Sequence, residues 1–176
     1  YEELRVYIRN VASASQDEAR YISMRLKDPV LSGFVLGKMS RARELDIDFS
    51  LTEESFVPEP IAQAYVDKII SIVGNLINNA FEALTNYSGE RIVLLSFLVF
   101  DDELIITVDD SGGGIAEENI DKIFSKGFSD KGNDRGIGLY IVKKQLEEID
   151  GSVEVESIPD EGTIFTVRMP YMRRQQ

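Results

Sequence analysis

Between Ile61 and Leu84 the chain places Ile69, Val73, Leu76, Ile77, Ala80 and Leu84 three or four residues apart. That spacing lays one apolar stripe along a helix, and a helix striped on one side needs an apolar surface to cover it. A suitable surface follows at once. The apolar stretches Arg91 to Phe100 and Leu104 to Val108 are parted only by Asp101-Asp102, which reads as a β-hairpin. A second hairpin, Val153 to Ser157 and Thr163 to Met169, turns around Pro159-Asp160-Glu161-Gly162. Helices combined with hairpin-linked strands indicate an α+β sandwich, one mixed sheet with helices packed on one face.

The remaining elements fit around that core. Residues 3 to 26 read as a helix with an imperfect stripe, interrupted by Lys27-Asp28-Pro29. A second helix runs to about Leu45, and the alternation of Ile47, Phe49 and Leu51 predicts a strand over Asp46 to Leu51. Pro58 and Pro60 mark a loop, and the long helix starts near Ile61. Beyond the first hairpin come a short helix over Glu117 to Phe124, a glycine-containing loop, and a helix from about Gly136 to Ile149 stopped by Asp150-Gly151. No apolar run approaches the roughly 18 residues a membrane helix needs. The formal charge of −12 argues against a nucleic-acid partner, whose affinity comes largely from neutralised phosphates. The absence of cysteine excludes disulfides and thiol chemistry.

Polar groups gather in four places. On the long helix Asn75 and Asn79 stand four apart, with Asn78 and Glu82 four apart beside them, so all share a face next to the apolar stripe. An amide oxygen such as that of Asn79 suits Mg²⁺, which keeps several waters and takes further oxygens from phosphate. Asp110 ends an apolar strand just before Ser111-Gly112-Gly113-Gly114. A carboxylate there can accept a hydrogen bond from an exocyclic amine, and the glycines let a flat base approach the backbone. From Lys126 to Lys144 the chain gathers Lys126, Lys131, Arg135, Lys143 and Lys144 against Asp130 and Asp134, a basic island in an acidic protein. The loop there carries Phe124 and Phe128, apolar for an exposed segment. Gly136-Ile137-Gly138-Leu139 then opens a helix whose free N–H groups can cradle phosphate. Neither the Walker pattern nor the dinucleotide glycine pattern is present. An Mg-nucleotide pocket accounts for the four together.

In order and spacing, Asn75-Leu-Ile-Asn78-Asn79-Ala-Phe-Glu82, Asp109-Asp110-Ser-Gly112-Gly113-Gly114-Ile115, Phe124-Ser-Lys126-Gly-Phe128 and Arg135-Gly136-Ile137-Gly138-Leu139 resemble the N box, first glycine box, F box and second glycine box of sensor histidine kinases, in the Bergerat ATP-binding superfamily. Gly162-Thr163-Ile-Phe165-Thr-Val-Arg-Met-Pro170 resembles that family's closing strand. The resemblance runs from Pro29 to Pro170, and Asp28 to Lys38 with Arg41 to Glu44 resemble the citrate and C4-dicarboxylate sensing subgroup.

The resemblance implies a Bergerat ATP-binding sandwich over residues 29–170, a tail over 171–176, and a partial dimerisation helix over 1–26. It implies ATP and Mg²⁺ as cofactors, with Asn79 holding the metal and Asn75 supporting the phosphates as the catalytic pair. Asp110 receives the adenine amine with Thr163 beside it, and Gly112 and Gly114 shape the adenine wall. Gly136 and Gly138 let the helix start close over the phosphates. Lys131 and Lys126 compensate charge, and Ile115, Ile123, Ile137 and Leu139 belong to the apolar walls and lid. Where related ATPases carry a glutamate as general base, Asn75 stands here, so efficient hydrolysis is not expected. Glu82 departs from the family's frequent basic residue, and either packs, pairs with a lysine or weakens phosphate binding.

The family's phosphate acceptor is a histidine, and this chain has none. The acceptor helix is therefore expected outside these residues, in a homodimeric sensor anchored in a membrane with this portion in the cytoplasm and a response regulator as partner. The chain itself is not expected to autophosphorylate. Two other readings remain open at this stage: an ATPase of the same superfamily that hydrolyses ATP to drive motion, and a non-catalytic nucleotide-binding regulatory module.

Overall fold

The computed structural model describes residues 15–128 and 137–174. Helix α1 covers residues 15–25 of that range. It is followed by α2 (Pro29–Glu44), β1 (Asp48–Leu51), α3 (Gln63–Thr85), β2 (Ile92–Phe100), β3 (Glu103–Asp110), α4 (Glu117–Ile120), α5 (Gly138–Glu147), β4 (Ser152–Ile158) and β5 (Gly162–Pro170). The five strands form one mixed sheet in the order β1-β2-β3-β5-β4, with β1 parallel to β2 and the other pairs antiparallel. Helices α3 and α5 pack on one face of the sheet. This is the α+β architecture expected from the sequence.

The stripe on α3 is the centre of the core. Ile69, Val73, Leu76, Ile77, Ala80 and Leu84 are buried as expected, joined by Val66, Ile72 and Phe81. They meet the inward residues Val93, Leu95 and Phe97 of β2, Leu104, Ile106 and Val108 of β3, and Phe165, Val167 and Met169 of β5. Truncating a fully buried side chain such as Leu76 to alanine would cost about 2–5 kcal/mol.

Asp28 explains the interruption near Pro29. Its Oδ1 accepts from the backbone N–H groups of Val30 and Leu31, both at 2.9 Å, capping α2. Its Oδ2 accepts from Ile61 N–H at 3.0 Å, which ties the entry of α3 to the same carboxylate. Ile22 and Leu26 at the end of α1 are buried in the common core, and Leu26 bridges to Val57. Residues 3–14 of the expected first helix lie outside the described residues.

Three boundaries differ from the sequence reading. Asp46 does not begin a strand; it takes a left-handed φ of 57° in the turn that ends α2, and β1 starts at Asp48. Ile61 is extended and tied to Asp28, so α3 begins at Gln63. The expected helix over Glu117 to Phe124 is helical only through Ile120 and continues as turns, with Ser125 N–H reaching Lys122 O at 2.8 Å.

Candidate functional site

Along the inner face of the sheet the residues are apolar until the last register row. There Val93, Asp110, Thr163 and Ser157 stand side by side on β2, β3, β5 and β4. Three polar groups in one row, at the edge of an apolar face, make a floor rather than a core. Asp110 and Thr163 are each only 5% exposed, so both are positioned by burial as well as by strand pairing. The backbone N–H of Gly112 donates to Asp110 Oδ1 at 2.9 Å. Ser157 Oγ donates to Gly162 O at 2.9 Å, accepts from Ile115 N–H at 2.8 Å, and shares a hydrogen bond of 2.9 Å with Thr163 Oγ1.

Two glycines are required by geometry here. Gly114 has a φ of +68°, and a Cβ on it would lie 2.3 Å from the carbonyl oxygen of Ile158. Gly162 has a φ of +134°, and a Cβ on it would lie 2.0 Å from the carbonyl oxygen of Asp110. A side chain at either position would push the β4–β5 turn away from the end of β3.

Above the floor runs the polar face of α3. Asn75, Asn78, Asn79 and Glu82 all line a cleft of about 1000 Å³, together with Asp110, Gly114, Ile115, Ile123, Ile137, Gly138, Leu139 and Thr163. The cleft is within the size range of small-molecule sites. Its long axis follows α3. A Cβ on Gly112 would meet Ala83 Cβ at 3.3 Å, whereas a Cβ on Gly138 would meet Asn75 Oδ1 at 3.0 Å. Eight residues of helix separate those contacts, a span of about 12 Å at 1.5 Å per residue. The Asp110 floor thus faces one end and the start of α5 the other. Asn75 is held in place there, its Nδ2 donating to Ser71 O at 2.8 Å.

Of the residues anticipated from sequence, the structure brings together Asn75, Asn79, Asp110, Gly114, Ile115, Ile123, Ile137, Gly138, Leu139 and Thr163 around this cleft. Gly112 packs behind Asp110 instead of lining it. Lys126 is exposed and is absent from the described lining. Lys131 and Gly136 lie outside the described residues. Lys144, part of the basic island, pairs with Glu147 at 3.0 Å. No ion pair to Glu82 forms among the described residues, and the side chain is exposed at the cleft.

The sequence reading did not assign Tyr87, Phe128 or Phe165 to the lining. Phe124 meets Phe165 edge-on, centroids 6.4 Å apart, and both Phe124 and Phe128 pack on the core. This accounts for two apolar rings in a polar loop. Their presence was visible in sequence, but the seat of Phe124 on β5 was not.

A long amide-bearing helix over an antiparallel floor, with a carboxylate at a glycine turn and a glycine-led helix opposite, defines a nucleotide-binding class of α+β domain. The chain belongs to the histidine kinase-, DNA gyrase B- and HSP90-like ATPase family, whose model matches residues 64–173. It is 40% identical over 172 residues to sensor histidine kinase DcuS of Escherichia coli strain K12, covering 97% of this chain and 31% of that protein. It is 34% identical over 176 residues to sensor histidine kinase CitA of Klebsiella pneumoniae, covering 98% of this chain and 32% of that one. The chain therefore spans about a third of the length of the curated relatives it matches. Among solved structures, the catalytic domain of histidine kinase ThkA superposes with a TM-score of 0.63 at 26% identity, over 80% of this chain and 92% of that one. Full-length ShkA in complex with AMPPNP shares the fold, with a TM-score of 0.68 at 24% identity over 84% of this chain and 30% of that one. No helix among the described residues is long and apolar enough to cross a membrane.

Proposed function

We propose that this domain binds Mg·ATP in the α3 cleft and presents the γ-phosphate to a histidine carried on a separate segment, as the kinase portion of a two-component sensor. The observation that supports this most is the pairing of the Asp110–Thr163–Ser157 row with the Asn75–Asn79 face across a single cleft. Asp110 accepts from the adenine amine, with Thr163 beside it and Gly112 N–H bracing its carboxylate from behind, and Gly114 keeps backbone bulk away from the ring. Asn75 and Gly138 form the phosphate end, with Lys126, Lys131 and Gly136 as further contributors, and Ile115, Ile123, Ile137 and Leu139 exclude water from the walls.

The donor set suits magnesium. Among the described residues no cluster of three or more acidic, histidine or cysteine side chains could hold a metal without help. Asn79 offers one oxygen at the cleft, the kind of sparse protein ligation that Mg²⁺ accepts when phosphate and water complete its shell. The ion would neutralise charge on the transferring phosphoryl group. The chain's own residues orient the nucleotide and do not form a covalent intermediate. Asn75 cannot take a proton from water, which favours transfer over hydrolysis.

Residues 1–26 are assigned to a dimerisation hairpin whose acceptor helix lies elsewhere, in a membrane-attached homodimer that passes phosphate to a response regulator. A chain without histidine cannot autophosphorylate on that residue. The test supplies a histidine-bearing hairpin and radiolabelled ATP. Label on the hairpin that is stable in base and lost in acid is expected, with slow phosphate release from the domain alone. Steady hydrolysis without transfer would replace this reading with an ATPase. Nucleotide binding with neither activity would make the domain a regulatory module.

A further inference from the structure

Among the described residues, the cleft lining carries an electrostatic deficit toward an anionic ligand. Its described lining holds four asparagines and two carboxylates, Glu82 and Asp110, and no lysine or arginine. A nucleoside triphosphate brings several negative charges into a chain whose formal charge is already −12. A cation standing just behind the described lining would offset part of that charge.

Lys38 on α2 stands there. Its Nζ donates to Asn78 Oδ1 at 2.8 Å, across 40 residues of sequence, and Asn78 is a lining residue. The ammonium also lies 5.7 Å from the centroid of the Phe34 ring. Phe34 in turn sits against α3 at Gly74, where a Cβ would come within 3.8 Å of the ring. The ring thus rests on α3 within ordinary contact distance of Gly74, and it supports the lysine. Asn78 is three residues from Asn75, so the ammonium meets α3 near the phosphate end rather than over Ala83 at the Asp110 end.

The ion pairs formed among the described residues engage other cations, so no carboxylate there neutralises Lys38. Its anchor is a neutral amide, which fixes the head group without consuming its charge. Partial burial draws the ammonium below its ordinary pKa, the response of a cation partly withdrawn from water. An anion at the cleft rim would supply a counter-ion.

We propose that Lys38, held by Asn78 and Phe34, is a specificity-determining residue that favours nucleoside triphosphate over diphosphate by meeting the charge of the terminal phosphate. The inference rests on the nucleotide reading above and adds to it a group from a helix that none of the four motif segments contains. Glu82, exposed at the same cleft, adds negative charge that a cation on α2 would offset.

The experiment is calorimetric titration of the whole chain and its Lys38→Met and Lys38→Arg variants with MgADP and a Mg-bound, non-hydrolysable ATP analogue. Lys38→Met is expected to weaken the triphosphate analogue about tenfold, the scale of one partly exposed charge-assisted contact, while ADP affinity stays within about twofold. Lys38→Arg should recover most of the loss, since the charge is kept. ADP binding also reports that each variant is folded. Equal losses for both nucleotides, or none for either, would overturn the assignment and leave Lys38 as a structural prop for Asn78. If the unaltered chain bound neither nucleotide, the nucleotide reading itself would fall and this inference with it.

Discussion

The two ends of the cleft solve recognition in opposite ways. At the Asp110 end the polar groups belong to strands, and the register row Asp110–Thr163–Ser157 fixes them to one another and to the β4–β5 turn. At the Asn75 end amides project from a helix, and a cation from α2, Lys38, reaches the rim through Asn78. A flat base needs one directional acceptor and close walls, which a sheet edge provides. A polyphosphate needs charge, and the described lining of this cleft holds no lysine or arginine.

The comparison breaks most visibly at Asp110. Asp110→Ala is expected to lower ADP affinity by roughly 30- to 100-fold, the scale of losing a hydrogen bond to a buried charged group. It should also bring ADP and GDP to similar affinities. Calorimetry with both nucleotides decides it, and retained preference for adenine would remove Asp110 from the base site. Because Asp110 also accepts from Gly112 N–H, the same variant should show a lower unfolding temperature. Asn79→Ala probes the other end more gently. Affinity for the triphosphate analogue should fall about tenfold in Mg²⁺ and change little in chelator. An equal loss in both conditions would mean that Asn79 serves the cleft wall and not the metal.

The same contrast governs what could be read from the residues. The α3 stripe and its polar neighbour face are consequences of one helical period, so both were legible, as was Asp110 between an apolar strand and three glycines. The floor was partly legible, because strand alternation places Thr163 and Asp110 on a face but does not say that Ser157 completes their row. Contacts between elements were invisible. Nothing in the spacing of Phe34 or Lys38 says that α2 lies along α3, or that Gly74 leaves room for a ring. Asp28 looked like punctuation before a proline. Its second oxygen, holding Ile61 across 33 residues, emerges only from the tertiary structure. The basic island contributes no described residue to the lining, with Lys126 exposed and Lys144 committed to Glu147, while Lys131 and Arg135 lie outside the described residues.

Gly138 offers the finest division between scaffold and site. It opens α5, and alanine in its place should favour the helix by somewhat under 1 kcal/mol, since glycine gives up more backbone freedom on folding. The added methyl would lie 3.0 Å from Asn75 Oδ1, so the amide must yield by a few tenths of an ångström. Asn75 cannot swing freely, because its Nδ2 is bound to Ser71 O. Gly138→Ala should therefore leave the unfolding temperature unchanged or slightly raised while weakening ADP and the triphosphate analogue alike, by about threefold, roughly 0.65 kcal/mol. Thermal unfolding and titration of the same sample give the two signs. Binding that improves along with stability would show that Asn75 has room to move, and that the phosphate end is set by the helix start alone.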